Sequence, residues 1–290
     1  MANHLIIIDM YKILLIAYFG LLLLAGCRAV KPVQLKNEII EPSIVRLRDS
    51  ILQQGLDGEA LYTLMGDIKP LSSVVAFSLP IGNADSSMRL DEAVLPIDSL
   101  RYLARVNQIQ QAVALIDLPD LKFVLVPYRS AYSKNRILQL SVIRVSRLDS
   151  LLEAKSQFFG QYGFVPGTDP TVLLTVNEYE KKYERLRGYG YLFGYPDYAV
   201  DFFVLAFQQS DATGKHVNRK FFHIPTFEKE EGNFVYAYPM DYTPGPQDSA
   251  LYRRSETVLK EYKLLRSRYI KSDSTLSAYE LLRDIAQSER

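Results

Sequence analysis

The chain has one cysteine, Cys27, no tryptophan and three histidines among its 290 residues. A single thiol excludes an internal disulfide framework. His216 and His223 stand at a spacing that matches no common zinc motif, and no thiolate can join them, so no metal is expected. Gly-x-Ser-x-Gly, P-loop and Rossmann glycine fingerprints are missing too. Sequence therefore assigns no cofactor and no catalytic residue. Neither sign of charge dominates, with 34 basic side chains against 33 acidic ones. That balance gives no global pull toward nucleic acid. Tryptophan, a frequent stacking platform for sugars, is absent, whereas tyrosine occurs twenty times. Tyrosine's apolar ring and polar tip suit half-buried walls and interfaces.

The N-terminus carries an address. Lys12 precedes an apolar run, Ile13–Leu24, that ends in Leu24-Ala25-Gly26-Cys27. A basic residue, an apolar stretch and small residues at a cleavage point are the layout of a secretory signal. The run is shorter than the ~20 apolar residues that span a bilayer. This segment resembles the signal peptide and lipobox of bacterial lipoproteins. The resemblance implies a signal peptide over residues 1–26, cleavage before Cys27, and acyl chains on its sulfur. The membrane would then be the first partner, held at about 0.8 kcal/mol per buried methylene, with more than one chain needed for a stable anchor. Asp9 sits where a signal wants positive charge, so translation is expected to start at Met10. Residues 27–37 form the lipidated cysteine and its tether. Arg28 stands where an Asp would favour the inner membrane, and the tether has no acidic run. By the same resemblance, the expected location is the outer membrane, facing the periplasm.

Residues 38–290 read as a single α+β domain, with a mostly antiparallel sheet of about five strands packed with about seven helices. Ser43 is the expected cap of a helix to about Gln54, with Ile44, Leu47 and Ile51 on one face. A short helix, Glu59–Met65, and a strand, Val74–Leu79, follow. From Asp98 a helix runs to about Leu115, with Leu103, Val106, Val113 and Ile116 inward. Lys122–Pro127 and Ile137–Val145 make a hairpin, the second strand alternating Leu138, Leu140 and Val142 with polar neighbours. Leu148–Phe159 is helical. Thr168-Asp169-Pro170 is a strong helix start. Val172, Val176, Tyr179, Tyr183 and Leu186 then predict one core-facing stripe on a helix that stops at Gly188. Asp197 caps the next helix, to about Gln208. A second hairpin pairs Lys220–Ile224 with Asn233–Tyr238, and helices Gln247–Lys271 and Leu276–Ala286 close the chain.

Three stretches are candidates for function. In Gly188–Asp197, glycines permit close backbone approach, and Tyr189, Tyr191 and Tyr195 are candidate walls of a cleft, with Asp197 as a polar group. Its bland reading is a connection between helices, with Asp197 as a cap. The second stretch joins Glu59 to Asp67–Ser73, where Lys69 and Ser72 can be drawn as a nucleophile pair; a lysine on such a turn is expected to be solvated. The third is the helix from Gln247, whose Arg253, Arg254, Lys260, Lys263, Arg266, Arg268 and Lys271 outnumber Glu256 and Glu261. It fits anionic lipid or an acidic partner, or simply a solvated face.

These readings converge on a cell-envelope lipoprotein, anchored by lipid at Cys27, whose folded body is a non-enzymatic binding or structural module. Its further partner would be an envelope protein or a cell-wall component. The competing expectation is a periplasmic hydrolase with a tyrosine-lined cleft near Gly188–Asp197.

Overall fold

β-branched and aromatic residues build two small antiparallel sheets, and helices cover them. In the computed structural model, the described residues are 41–80, 96–129 and 135–288. The expected signal peptide, Cys27 and the tether lie outside them. Strands β1 (Leu71–Pro80), β2 (Leu121–Arg129) and β3 (Asn135–Arg144) form one sheet in the order β1-β3-β2. A separate hairpin pairs β4 (Arg219–Ile224) with β5 (Phe234–Pro239). The fold is α+β with five antiparallel strands, divided between two sheets rather than joined in one.

The middle strand explains the layering. On β3, Leu140 and Val142 point to one face and Ser141 and Ile143 to the other, and all four are buried, as in a strand covered on both sides. The first face receives helix α1 (Pro42–Asp57) and helix α3 (Pro96–Ala114), through Ile44, Ile51 and Ala112 against Leu140. Residues of the other face, Val124, Val126 and Ile143, pack on helices α4 (Val145–Ala154), α5 (Ser156–Phe159), α6 (Pro170–Tyr179) and α7 (Lys182–Leu192). A register shift between Ser73 and Val75 lets Val74 and Val75 both reach the first layer, the effect of a bulge. A third layer gathers α2 (Leu61–Leu64), the β4–β5 hairpin, α9 (Pro246–Arg266) and α10 (Ala278–Ser288) around Phe234, Leu259, Tyr262 and Leu281. Helix α8 (Asp197–Thr213) lies along β5. Among the described residues, no helix is long and apolar enough to cross a membrane.

Several boundaries differ from the sequence reading. Helix α1 is capped at Glu41 rather than Ser43 and continues through Gly55 to Asp57. Leu103, expected inward, is 56% exposed, and Ile109 and Ala112 are buried in its place. The helix expected from Pro170 to Gly188 breaks at Glu180 and Lys181, both extended, and resumes as α7 through Gly188 and Gly190. Its stripe holds only in part: Val176 packs against the core, whereas Val172 and Tyr179 are exposed, and Leu173, Leu174 and Asn177 are buried. Close packing accounts for the break. A Cβ on Gly188 would stand 1.8 Å from Asn177 Oδ1, and one on Gly190 would stand 2.8 Å from Val200 Cγ2. Two bare faces of α7 thus allow α6 to fold back on one side and α8 to press on the other. The Asp169 cap is as expected, its carboxylate accepting the Thr171 amide at 2.6 Å.

Candidate functional site

Helix α7 ends in a tight left-handed turn that unites the first two candidate stretches. Gly194 adopts φ +72° and its amide donates to Tyr191 O, while the Tyr195 amide donates to Gly190 O. This is a Schellman closure, and glycine is the residue it favours. A Cβ at Gly194 would sit 3.3 Å from Ile68 O and 3.6 Å from Lys69 Cα. The turn therefore lays Phe193 and Tyr195 directly on the Ile68–Pro70 segment.

Lys69, expected in solvent, has no exposed surface. Its ammonium is 2.6 Å from Glu59 Oε2 and lies over the rings of Phe234, Phe193 and Tyr195, at 4.3, 5.1 and 6.0 Å from their centroids. Burial pushes the amine below the usual lysine range, and the Glu59 charge and hydrogen bond oppose that. Ser72 is also fully buried, but its hydroxyl bonds with Thr63 Oγ1 at 2.9 Å, and Lys69 Nζ bonds with Glu59. The Ser72 hydroxyl also donates to the Glu59 backbone carbonyl at 3.4 Å, while the Lys69 ammonium bonds the Glu59 carboxylate, so no hydrogen bond joins the serine to the lysine and no activated nucleophile results. No local signal marks this burial, because the cover comes from residues far along the chain, Phe193, Tyr195 and Phe234.

On the other side of that aromatic wall is a cavity of about 540 Å³. Ser73, Tyr128, Gln139 and Ser141 form its floor from the three-stranded sheet. Glu178, Leu186, Tyr189, Gly190 and Phe193 enclose it from α6 and α7, and Tyr195, Val200 and Phe203 from the next turn and α8. Phe221, Val235 and Tyr236 of the hairpin complete the wall, with Phe221 half exposed. Tyr189 stacks on Phe193 with centroids 5.5 Å apart, and Tyr195 meets Tyr236 at 5.7 Å. Burial pushes the phenols of Tyr189, Tyr195 and Tyr236 up; the Glu178 carboxylate adds to the first, Glu59 to the second and Asp248 to the third. All three stay protonated donors at neutral pH.

Of the tyrosines singled out by sequence, Tyr189 and Tyr195 line this cavity and Tyr191 does not. Tyr189 and Phe193 are four residues apart on α7 and share a face. Tyr191 lies two positions from Tyr189, so it turns away, onto Phe158 and the Lys155 ammonium. Asp197 is also outside. It is the first residue of α8 rather than the cap, and it pairs with Lys155 at 2.5 Å. Glu178, the cavity's one acidic side chain, was not visible in the sequence, because it belonged to the polar side of a helix expected to continue past it.

The chain matches no family model, no curated protein and no solved structure.

Two other polar regions are accounted for, wholly or in part, by the fold. A groove of about 650 Å³ passes Gln53, Asp57, Glu59 and Glu228. Asp57 accepts from Tyr262 at 2.6 Å and pairs with Arg266 at 3.1 Å, and Glu59 holds Lys69. The basic helix is tied down in part: Arg254 pairs with Asp67 at 2.8 Å, Arg266 with Asp57, and Lys271, just beyond it, with Asp49 at 3.3 Å, while Arg253, Lys260, Lys263 and Arg268 are exposed and form no ion pair among the described residues. Asp248, near the start of α9, is fully buried and accepts from Tyr236 at 2.6 Å, Tyr198 and the Gly245 amide at 2.7 Å, and Tyr242 at 3.0 Å. Among the described residues, no cluster of three His, Cys, Asp or Glu side chains could hold a metal ion.

Proposed function

We propose that this protein is a cell-envelope lipoprotein, tethered by lipid on Cys27 at the outer membrane and facing the periplasm, whose folded body binds a small, largely apolar molecule. The observation that carries the binding role is the 540 Å³ cavity walled by Tyr128, Tyr189, Phe193, Tyr195, Phe203 and Tyr236. Its size falls in the range of roughly 300–1,000 Å³ common for small-molecule sites, and apolar walls with a few polar groups are their usual chemistry. Binding is favoured over hydrolysis because the cavity's serines, Ser73 and Ser141, accept or donate no hydrogen bond with a His or Lys among the described residues. A nucleophile needs such a base.

Two measurements test the reading. Metabolic labelling with an alkyne fatty acid should mark the wild-type chain and not Cys27→Ser; an unlabelled wild type would overturn the anchor. Equilibrium dialysis of the purified full-length protein against apolar aromatic compounds should show saturable binding that Val235→Phe, which fills the cavity, abolishes. A wild type that binds none of them would overturn the binding role.

A further inference from the structure

We infer that the cavity selects an organic cation: an amine carried on an apolar or aromatic body, with its charge on Glu178. This rests on the cavity being a ligand site, as proposed above, and adds the charge of the ligand.

The wall contains a carboxylate and no Lys, Arg or His side chain. Glu178 Oε2 accepts the Tyr189 hydroxyl at 2.7 Å. Among the described residues it receives no other side-chain hydrogen bond and forms no ion pair. Arg185 donates instead to the Glu178 backbone carbonyl, at 3.2 Å. A half-buried carboxylate with one neutral donor relies on solvent for the rest of its hydrogen bonding, and desolvating it further without a partner costs free energy. A neutral ligand that filled the cavity would impose that cost. An anionic one would add repulsion, with no cation on the wall to offset it.

A cation gains in two ways. Its charge meets Glu178 where water is partly excluded and Coulomb attraction is stronger. Its body meets the rings of Tyr128, Tyr189 and Phe193, whose faces attract cations. The fold already uses this combination on the far side of the same wall. There Lys69 supplies the ammonium, Glu59 the carboxylate, and Phe193 is among the rings that enclose it. Glu178 and Tyr189 have the same two ingredients and lack the ammonium.

The test is equilibrium dialysis of the purified full-length protein with three probes of one shape: naphthylmethylamine, naphthylmethanol and naphthoate. The amine should bind about tenfold tighter than the alcohol, the order expected from a desolvated cation–π and carboxylate contact, and naphthoate should bind weakest. Glu178→Gln, which still accepts the Tyr189 hydroxyl, should remove the preference for the amine, weakening the amine and, because a neutral amide is cheaper to desolvate, tightening the alcohol. Equal binding of all three probes, or a preference for the amine that survives Glu178→Gln, overturns the cation assignment while the cavity's binding role stands. Binding of none overturns both.

Discussion

Glu59 and Glu178 are both carboxylates beside aromatic rings, one on each side of the wall formed by Phe193 and Tyr195. Glu59 has a partner from its own chain, Lys69, sealed at zero exposure. Glu178 has a single phenol, Tyr189. Asp248 shows a third arrangement, a fully buried carboxylate with no cation that is satisfied by three phenols and an amide. The fold therefore stabilises a desolvated carboxylate either with a cation or with a full set of neutral donors. Glu178 has neither, and it faces the aromatic-walled cavity, whereas Glu59, which borders the polar groove, is already paired with Lys69. What looks like the same chemistry three times is structural in two places and available to a ligand in the third.

Glu59→Ala should break the comparison most severely. It leaves the Lys69 ammonium buried without its counter-charge, at a cost of about 3–5 kcal/mol, read as a fall in the urea midpoint. Replacing the pair together, with Glu59→Leu and Lys69→Met, should recover most of that loss. A cost near zero for the single change would mean that Lys69 does not need its partner.

Asp248→Ala comes next, at about 3 kcal/mol, since several hydrogen bonds to a charged acceptor are lost at once. Acid should act through the same residue. Desolvation raises the Asp248 carboxyl, but the hydrogen bonds from Tyr236, Tyr198, the Gly245 amide and Tyr242 outweigh it and hold the group below the ordinary value of 3.8. Its stabilisation is therefore complete above that value and fades as pH falls through the lower, folded-state pKa. Urea midpoints measured from pH 5 down to pH 2 (about that span) should drop less steeply in Asp248→Asn than in the wild type.

Gly190→Ala should cost about 1–3 kcal/mol by overpacking, because the new methyl would press on Val200 at 2.8 Å. Calorimetric melting would show it. An unchanged melting temperature would mean that α7 and α8 separate freely. Smallest of all, Glu178→Gln should change stability by less than about 0.5 kcal/mol, since the amide oxygen still accepts from Tyr189. A large loss there would place Glu178 with Glu59 among the structural carboxylates.

Local signals made much of the fold legible. The Asp169-Pro170 start and both hairpins depend on residues close in sequence, and each is where the pattern put it; the alternation on β3 reads as a half-buried strand, whereas Ser141 and Ile143 on its second face are buried as well. The division into two sheets was not legible, because strand patterns say which segments pair with a near neighbour and not whether two hairpins join edges. Gly188 reads as a helix stop because propensity penalises glycine within a helix, yet α7 runs through it; close backbone approach, the other reading of the glycines here, is what Gly188 and Gly190 provide. Their actual use, close approach to Asn177 and Val200, depends on partners that local pattern does not reveal. The site was half legible for the same reason. Sequence singled out Tyr189, Tyr195 and Lys69, and it could not tell that a left-handed turn at Gly194 would make Tyr195 part of a wall with Lys69 on one side and Tyr189 on the other, or that Glu178 would complete the cavity.

Four tyrosines, Tyr128, Tyr189, Tyr195 and Tyr236, line that cavity in a chain with no tryptophan. Protein emission here is phenol emission alone, with no indole to drain or mask it. A guest that enters between these rings would alter the intrinsic fluorescence of the unmodified protein, so the molecule carries its own optical reporter of occupancy.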